Sequence, residues 1–127
     1  DQNIRFIVKE FPILGEASLV SSKFAIAVKN VGGPEKYKLV HEILLTLTAE
    51  PNEPYLRRIA NELQINPEKL FETMESEPIL QEISRTAKLA EKLQISGTPT
   101  FILDEQFLRG FVPLDVLLQV AQSIRNK

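Results

Sequence analysis

The residues best placed to do chemistry are Gly97, Thr98 and Pro99, set between a long amphipathic run and the short apolar pattern Thr100-Phe101-Ile102-Leu103. A cis peptide is costly except before proline, so Thr98-Pro99 is a step where the backbone could take that shape. Taken alone, Thr-Pro reads most simply as a trans turn between helix and strand. Lys9 and Glu10 close an apolar stretch, and charges of this kind adjust the pKa of a nearby thiol. A solvated strand end explains them equally well. His41, the sole histidine, stands beside Tyr37, Val40, Ile43 and Leu44, which points to packing or capping rather than to catalysis or a metal. Glu72, Glu75 and Glu77 crowd one linker, but the alternating oxygen ligands and glycine turn of a calcium loop are missing, so they read as a solvated cluster. The sequence has no phosphate-cradling glycine loop and no nucleophile elbow.

Composition narrows the chemistry further. With 127 residues, 43% hydrophobic and 25% charged, the sequence fits one globular domain with a real core. A net charge of −2 gives no general reason to expect nucleic acid or an anionic membrane as partner. No window approaches the roughly 18 apolar residues of a membrane span. There is no cysteine, which excludes disulfides and thiol catalysis within this polypeptide, and one histidine offers no histidine-based metal site.

The elements that must position these residues follow from periodicity and punctuation. Asn3–Lys9 alternates as a strand, with Ile4, Phe6 and Val8 on one face and Ile7 making the other partly apolar; Phe11-Pro12 ends it. A helix is predicted over 16–30, with Leu19, Val20, Phe24, Ala27, Val28 and Val31 inward, stopped by Gly32-Gly33-Pro34. Tyr37, Val40, Ile43, Leu44 and Leu47 mark a second helix, and 48–53 is a polar link. Pro54 opens a third helix, with Leu56, Ile59, Ala60 and Leu63 inward. Asn66-Pro67 starts a short one bearing Leu70, Phe71 and Met74, a stripe that suits either a core or a peptide groove. Ser76-Glu77-Pro78 starts a long one through Ile79, Leu80, Ile83, Ala87, Ala90 and Leu93, with Gly97 placed as its C-terminal cap. Thr100–Leu103 and Phe107–Arg109 then form a hairpin around Asp104-Glu105. The last helix runs over 114–125, with Leu114, Leu117, Leu118, Ala121 and Ile124 inward.

In this order, Lys9-Glu10-Phe11-Pro12-Ile13-Leu14-Gly15, Tyr37-Lys38-Leu39-Val40-His41-Glu42-Ile43-Leu44, Ile95-Ser96-Gly97-Thr98-Pro99-Thr100-Phe101 and Gly110-Phe111-Val112-Pro113-Leu114 resemble DsbA-like thiol-disulfide oxidoreductases. The resemblance implies an α/β thioredoxin-like fold with an inserted helical subdomain. It divides the chain into a parallel strand and its exit (1–15), a mainly helical insert (16–76), and the long helix, proline loop, hairpin and last helix (77–127). It also implies that the Thr98-Pro99 peptide is cis and that Gly97, Thr98 and Pro99 bind an extended substrate beside the redox cysteines, with Lys9 and Glu10 as charges close to that site. Cysteine-containing client proteins are the implied partners, and the periplasm or another exported location the implied compartment. No cofactor or metal is implied.

The family's central strand and Cys-x-x-Cys helix have no counterpart here, so the sheet is expected to be incomplete and this chain to be the C-terminal part of a larger protein. Open strand edges would favour pairing with another copy, giving a homo-oligomer. Two other readings fit the same residues. Kappa-type glutathione transferases resemble this order too, although their residue before proline is commonly small and apolar, unlike Thr98. A non-catalytic thioredoxin-like module that binds peptides fits the missing cysteines directly.

Overall fold

The computed structural model describes residues 2–127 and divides into a first unit running to Lys88 and a second, Leu89–Lys127. The first unit is helical. Its elements are α1 (Glu16–Gly32), α2 (Pro34–Leu45), α3 (Glu53–Glu62), α4 (Pro67–Met74) and most of α5 (Glu77–Lys92).

Helix α1 is the centre of this unit. Phe24, Ala25, Ile26, Ala27 and Val28 are all buried, so this turn is covered on every side, where the periodicity predicted only a stripe. Ala25 and Ile26 lie outside the predicted stripe, where a surface helix would carry polar groups, and both are buried. Helices α2 and α4 pack on α1, and α3 packs on α4. Together they supply Val40, Leu56, Ile59, Leu63, Leu70 and Met74 to one core. Val31, predicted inward, is exposed.

The helix ends are set by local chemistry. Gly33 alone separates α1 from α2, at φ 89°, a conformation open to glycine at little cost. The side chain of Asn52 accepts from the Tyr55 N–H, and that of Asn66 from the Glu68 N–H, each followed by proline in the first turn. Gly32 serves a different need. A Cβ there would lie 2.8 Å from Ile65 Cδ1, so the missing side chain is what lets buried Ile65 approach.

Two expectations fail. Asn3–Lys9 forms no strand, because a strand needs a partner for its ladder and the only ladder among the described residues is elsewhere. Ile4, Phe6 and Ile7 are exposed there. Nor is Gly97 the cap of α5. Gln94 takes the left-handed conformation at φ 56°, and the Ile95 N–H reaches back to the Ala90 carbonyl at 2.8 Å. Gln64 closes α3 in the same way at φ 59°, with Ile65 N–H on the Ala60 carbonyl at 2.9 Å. In α3 and α5 the residue two beyond the last helical one carries the closure, and in both it is glutamine rather than glycine.

The second unit holds the end of α5, the antiparallel strands β1 (Thr100–Leu103) and β2 (Gln106–Arg109), and α6 (Leu114–Arg125). Thr100 pairs with Arg109 and Leu103 with Gln106, leaving Asp104-Glu105 as the turn, with Asp104 at φ 54°. On α6, Ala121 is buried, whereas Leu114 and Leu118, predicted inward, are exposed.

Two substitutions test this account. Leu70→Ala removes a fully buried side chain from the first core and should cost about 2–5 kcal/mol in urea unfolding. Gln64→Gly relieves a left-handed residue and should add about 0.5–1 kcal/mol; a loss there would show that the Gln64 side chain contributes more than its backbone costs.

Candidate functional site

The loop from Ser96 to Pro99 is held at both ends by hydrogen bonds within the second unit. On one side, Arg109 donates from Nη1 to the Gln94 carbonyl at 2.9 Å, with its guanidinium 5.5 Å from the Phe107 ring centroid. On the other, the Gly110 N–H donates to the Pro99 carbonyl at 2.9 Å, carrying the strand pairing one step past Thr100–Arg109. Gly110 does this at φ 91°, where a side chain would be strained. Thr100 Oγ1 donates to the Gly97 carbonyl at 2.8 Å and closes the loop from below.

The Thr98-Pro99 peptide is cis. Gly97, Thr98 and Pro99 are all exposed. The Thr98 N–H, carbonyl and hydroxyl make no hydrogen bond among the described residues. A loop fixed on both sides thus presents Thr98, next to the cis peptide, with an unused donor and acceptor on its main chain. Such a residue can pair with an extended peptide as a strand edge does.

Lys9 and Glu10 belong to the first unit and behave differently from each other. Lys9 is exposed and makes no ion pair among the described residues. Glu10 is enclosed by its own unit. Its Oε2 accepts from Ser22 Oγ at 2.9 Å and its Oε1 from Tyr37 Oη at 2.8 Å. Ser22, one turn before the buried centre of α1, is itself buried and has this carboxylate as its partner. His41 Nδ1 stands 3.9 Å from Glu10 Oε1, and its ring is 5.9 Å from that of Tyr37. Lys29 lies 5.4 Å from the Tyr37 ring centroid and bonds Glu82 of α5 at 2.6 Å. Sequence reasoning left Glu10 as either a charge close to the thiol site or a solvated strand end. The partners at positions 22, 37 and 41 come from two helices, and no pattern in the sequence joins them.

Burial, then the charge of Glu10 and its hydrogen bond, then Glu82, push the Tyr37 phenol far above its ordinary 10.0. Because the folded value is raised, the stabilisation is complete below the unfolded value and is lost as pH climbs beyond it. Tyr37→Phe should therefore cost about 1 kcal/mol near neutrality and should flatten the loss of stability between about pH 9 and about pH 11. Urea midpoints across that range check it; an unchanged alkaline slope in the variant would assign the slope to other groups.

Glu72, Glu75 and Glu77 do not converge: Glu75 bonds Lys23, Glu77 bonds Gln81, and no group of three potential metal ligands occurs among the described residues. Among those residues no helix is long and apolar enough to cross a membrane.

Comparison with known proteins completes the description. A thioredoxin-like oxidoreductase from Silicibacter pomeroyi is 32% identical with a TM-score of 0.82, over 94% of this chain and 67% of that one. The thiol-disulfide exchange protein alpha-DsbA2 from Wolbachia pipientis is 28% identical with a TM-score of 0.84, over 93% of this chain and 64% of that one. A periplasmic thioredoxin-like protein from Salmonella enterica serovar Typhimurium, 23% identical with a TM-score of 0.77 over 92% of this chain and 64% of that one, shares the fold. The chain thus spans about two thirds of the length of these structures. No curated protein matches. The fold is thioredoxin-like, with many helices and a two-stranded sheet. A family model for the DSBA-like thioredoxin domain matches residues 1–122, and the chain belongs to that family.

Proposed function

We propose that this chain is the client-binding part of a protein thiol-disulfide oxidoreductase whose redox cysteines lie outside the present sequence. The observation that carries the reading is the unused main-chain donor and acceptor of Thr98 on a loop fixed from both sides. An extended client segment would pair its own N–H and carbonyl with those of Thr98, which brings main-chain affinity without demanding a particular client sequence. The exchange itself belongs to thiolates. A thiolate attacks a disulfide sulfur, the mixed disulfide forms, and the other sulfur leaves as thiolate. Gly97, Thr98 and Pro99 would orient the client for that attack. Within the first unit, Lys9 stays open to solvent, whereas Glu10 is engaged with Ser22 and Tyr37. An oxidising compartment, the periplasm or another exported location, suits such chemistry. Its clients would be cysteine-containing proteins or peptides.

The reading is tested by nuclear magnetic resonance titration with an extended peptide. The Thr98 amide should shift most. N-methylating the peptide residue opposite the Thr98 carbonyl removes one hydrogen bond and should weaken binding about fivefold. Binding indifferent to that methyl group would overturn the pairing at Thr98. The 127-residue chain alone, with no cysteine, should show thiol exchange no faster than a blank.

A further inference from the structure

A groove in the first unit, built on elements other than the Thr98 loop, carries a second binding surface. Its larger part, about 490 Å³, has a floor of Val20 from α1, Leu56 from α3, and Phe71 and Met74 from α4. Leu56 and Met74 are buried, and Val20 and Phe71 half-buried, so the floor is apolar but reachable. A smaller cavity of about 190 Å³ shares Val20 and Pro51 with the first and continues it towards the start of α1.

The rim is charged, and unevenly so. Glu53, Glu68 and Glu75 border the larger part, and Glu16 and Glu50 the smaller. Among the described residues two cations answer these five carboxylates. Arg57 bridges Glu53 and Glu68, with its guanidinium 4.9 Å from the Phe71 ring centroid, and Lys23 bonds Glu75. Glu16 and Glu50 have no ion pair and no side-chain hydrogen bond among the described residues. An apolar floor beneath an excess of negative charge discriminates between partners. An acidic peptide meets repulsion, and a neutral apolar one desolvates Glu16 and Glu50 without replacing their water. A cationic one answers both carboxylates while its apolar side chains cover the floor. The single methionine lends the floor an adaptable, polarisable surface suited to varied apolar partners.

We propose that this groove docks a peptide segment whose apolar side chains are flanked by lysine or arginine. It goes beyond the thiol reading and does not depend on it, since every residue named lies in the helices and linkers of the first unit.

The experiment is a fluorescence-polarisation titration of the full chain with a labelled peptide of about 12 residues that alternates leucine or phenylalanine with lysine. A control peptide carries glutamate in place of each lysine. The lysine peptide should bind, and the control should not in the same range. Raising ionic strength from about 0.01 M to about 0.15 M shortens the screening length from about 30 Å to about 8 Å and should weaken binding severalfold. The double variant Glu16→Gln, Glu50→Gln removes two carboxylates with no ion pair or side-chain hydrogen bond among the described residues, so its melting temperature should hold while affinity falls about threefold to tenfold. Met74 is the sole methionine, so a labelled methionine methyl gives one resonance, which must shift on binding. Equal binding of both peptides, unchanged affinity in the double variant, or a still Met74 methyl would each overturn the proposal.

Discussion

A helix turn can be hidden from water on all sides only if other elements cover each of them, and the first unit is arranged to meet that demand for Phe24 to Val28 of α1. Helices α2 and α4 pack against α1, and α3 braces α4 from behind. Burying side chains of this size contributes about 1.5–3 kcal/mol each where Phe24, Ile26 and Val28 are concerned, with the alanines allowing close approach. The same enclosure sets a problem at its border. Ser22 is buried with a hydroxyl to satisfy, and Glu10 arrives from outside the helices to satisfy it. That carboxylate then draws in Tyr37, so the edge of an apolar core becomes the seat of a polar network reaching α2 and, through Lys29, α5.

The two units handle polar groups in opposite ways. In the first, Glu10 and Ser22 are enclosed and mutually bonded, and no buried side-chain polar atom among the described residues lacks a partner. In the second, the loop before the hairpin is pinned by a few hydrogen bonds, and the groups of Thr98 are left unused among the described residues. Arg109, Gly110 and Thr100 occupy the carbonyls of Gln94, Pro99 and Gly97, which fixes the loop on both sides of Thr98. Rigidity around an unsatisfied pair is what a main-chain recognition point requires, because a mobile loop would lose ordering entropy on each encounter.

Much of this was legible in the residues. Pro54 in a first turn, Asn66 before Pro67, glycines 32 and 33 before Pro34, and the short apolar runs either side of Asp104-Glu105 each encode a local geometry, and the elements fall close to where those signals put them. The ordered set of short stretches that resembles DsbA-like proteins led to the family that the comparison shows. What failed depends on partners distant in sequence. The alternation of Asn3–Lys9 is a strand pattern with no strand beside it among the described residues. Glu10 read as a charge close to the thiol site or a solvated strand end because Ser22 and Tyr37 are invisible from its neighbourhood. Gly97 was chosen as a cap by residue type, whereas the position of the closing hydrogen bond made Gln94 the cap. Phe71 and Met74 read as part of either a core or a peptide groove, but the rest of the groove's lining was hidden, since stretches around 16–20, 50–57 and 68–75 meet only in space.

The approach of Ile65 to Gly32 has a consequence for how this sequence can vary. A Cβ at position 32 would sit 2.8 Å from Ile65 Cδ1 and 2.9 Å from Lys36 Cδ. Lysine's flexible end can swing aside, but Ile65 is enclosed and cannot. Any side chain gained at 32 must therefore be matched by volume surrendered at 65, and a shorter residue at 65 leaves a void that only a larger residue at 32 refills. The two positions are coupled through this contact, so their substitutions will not combine additively.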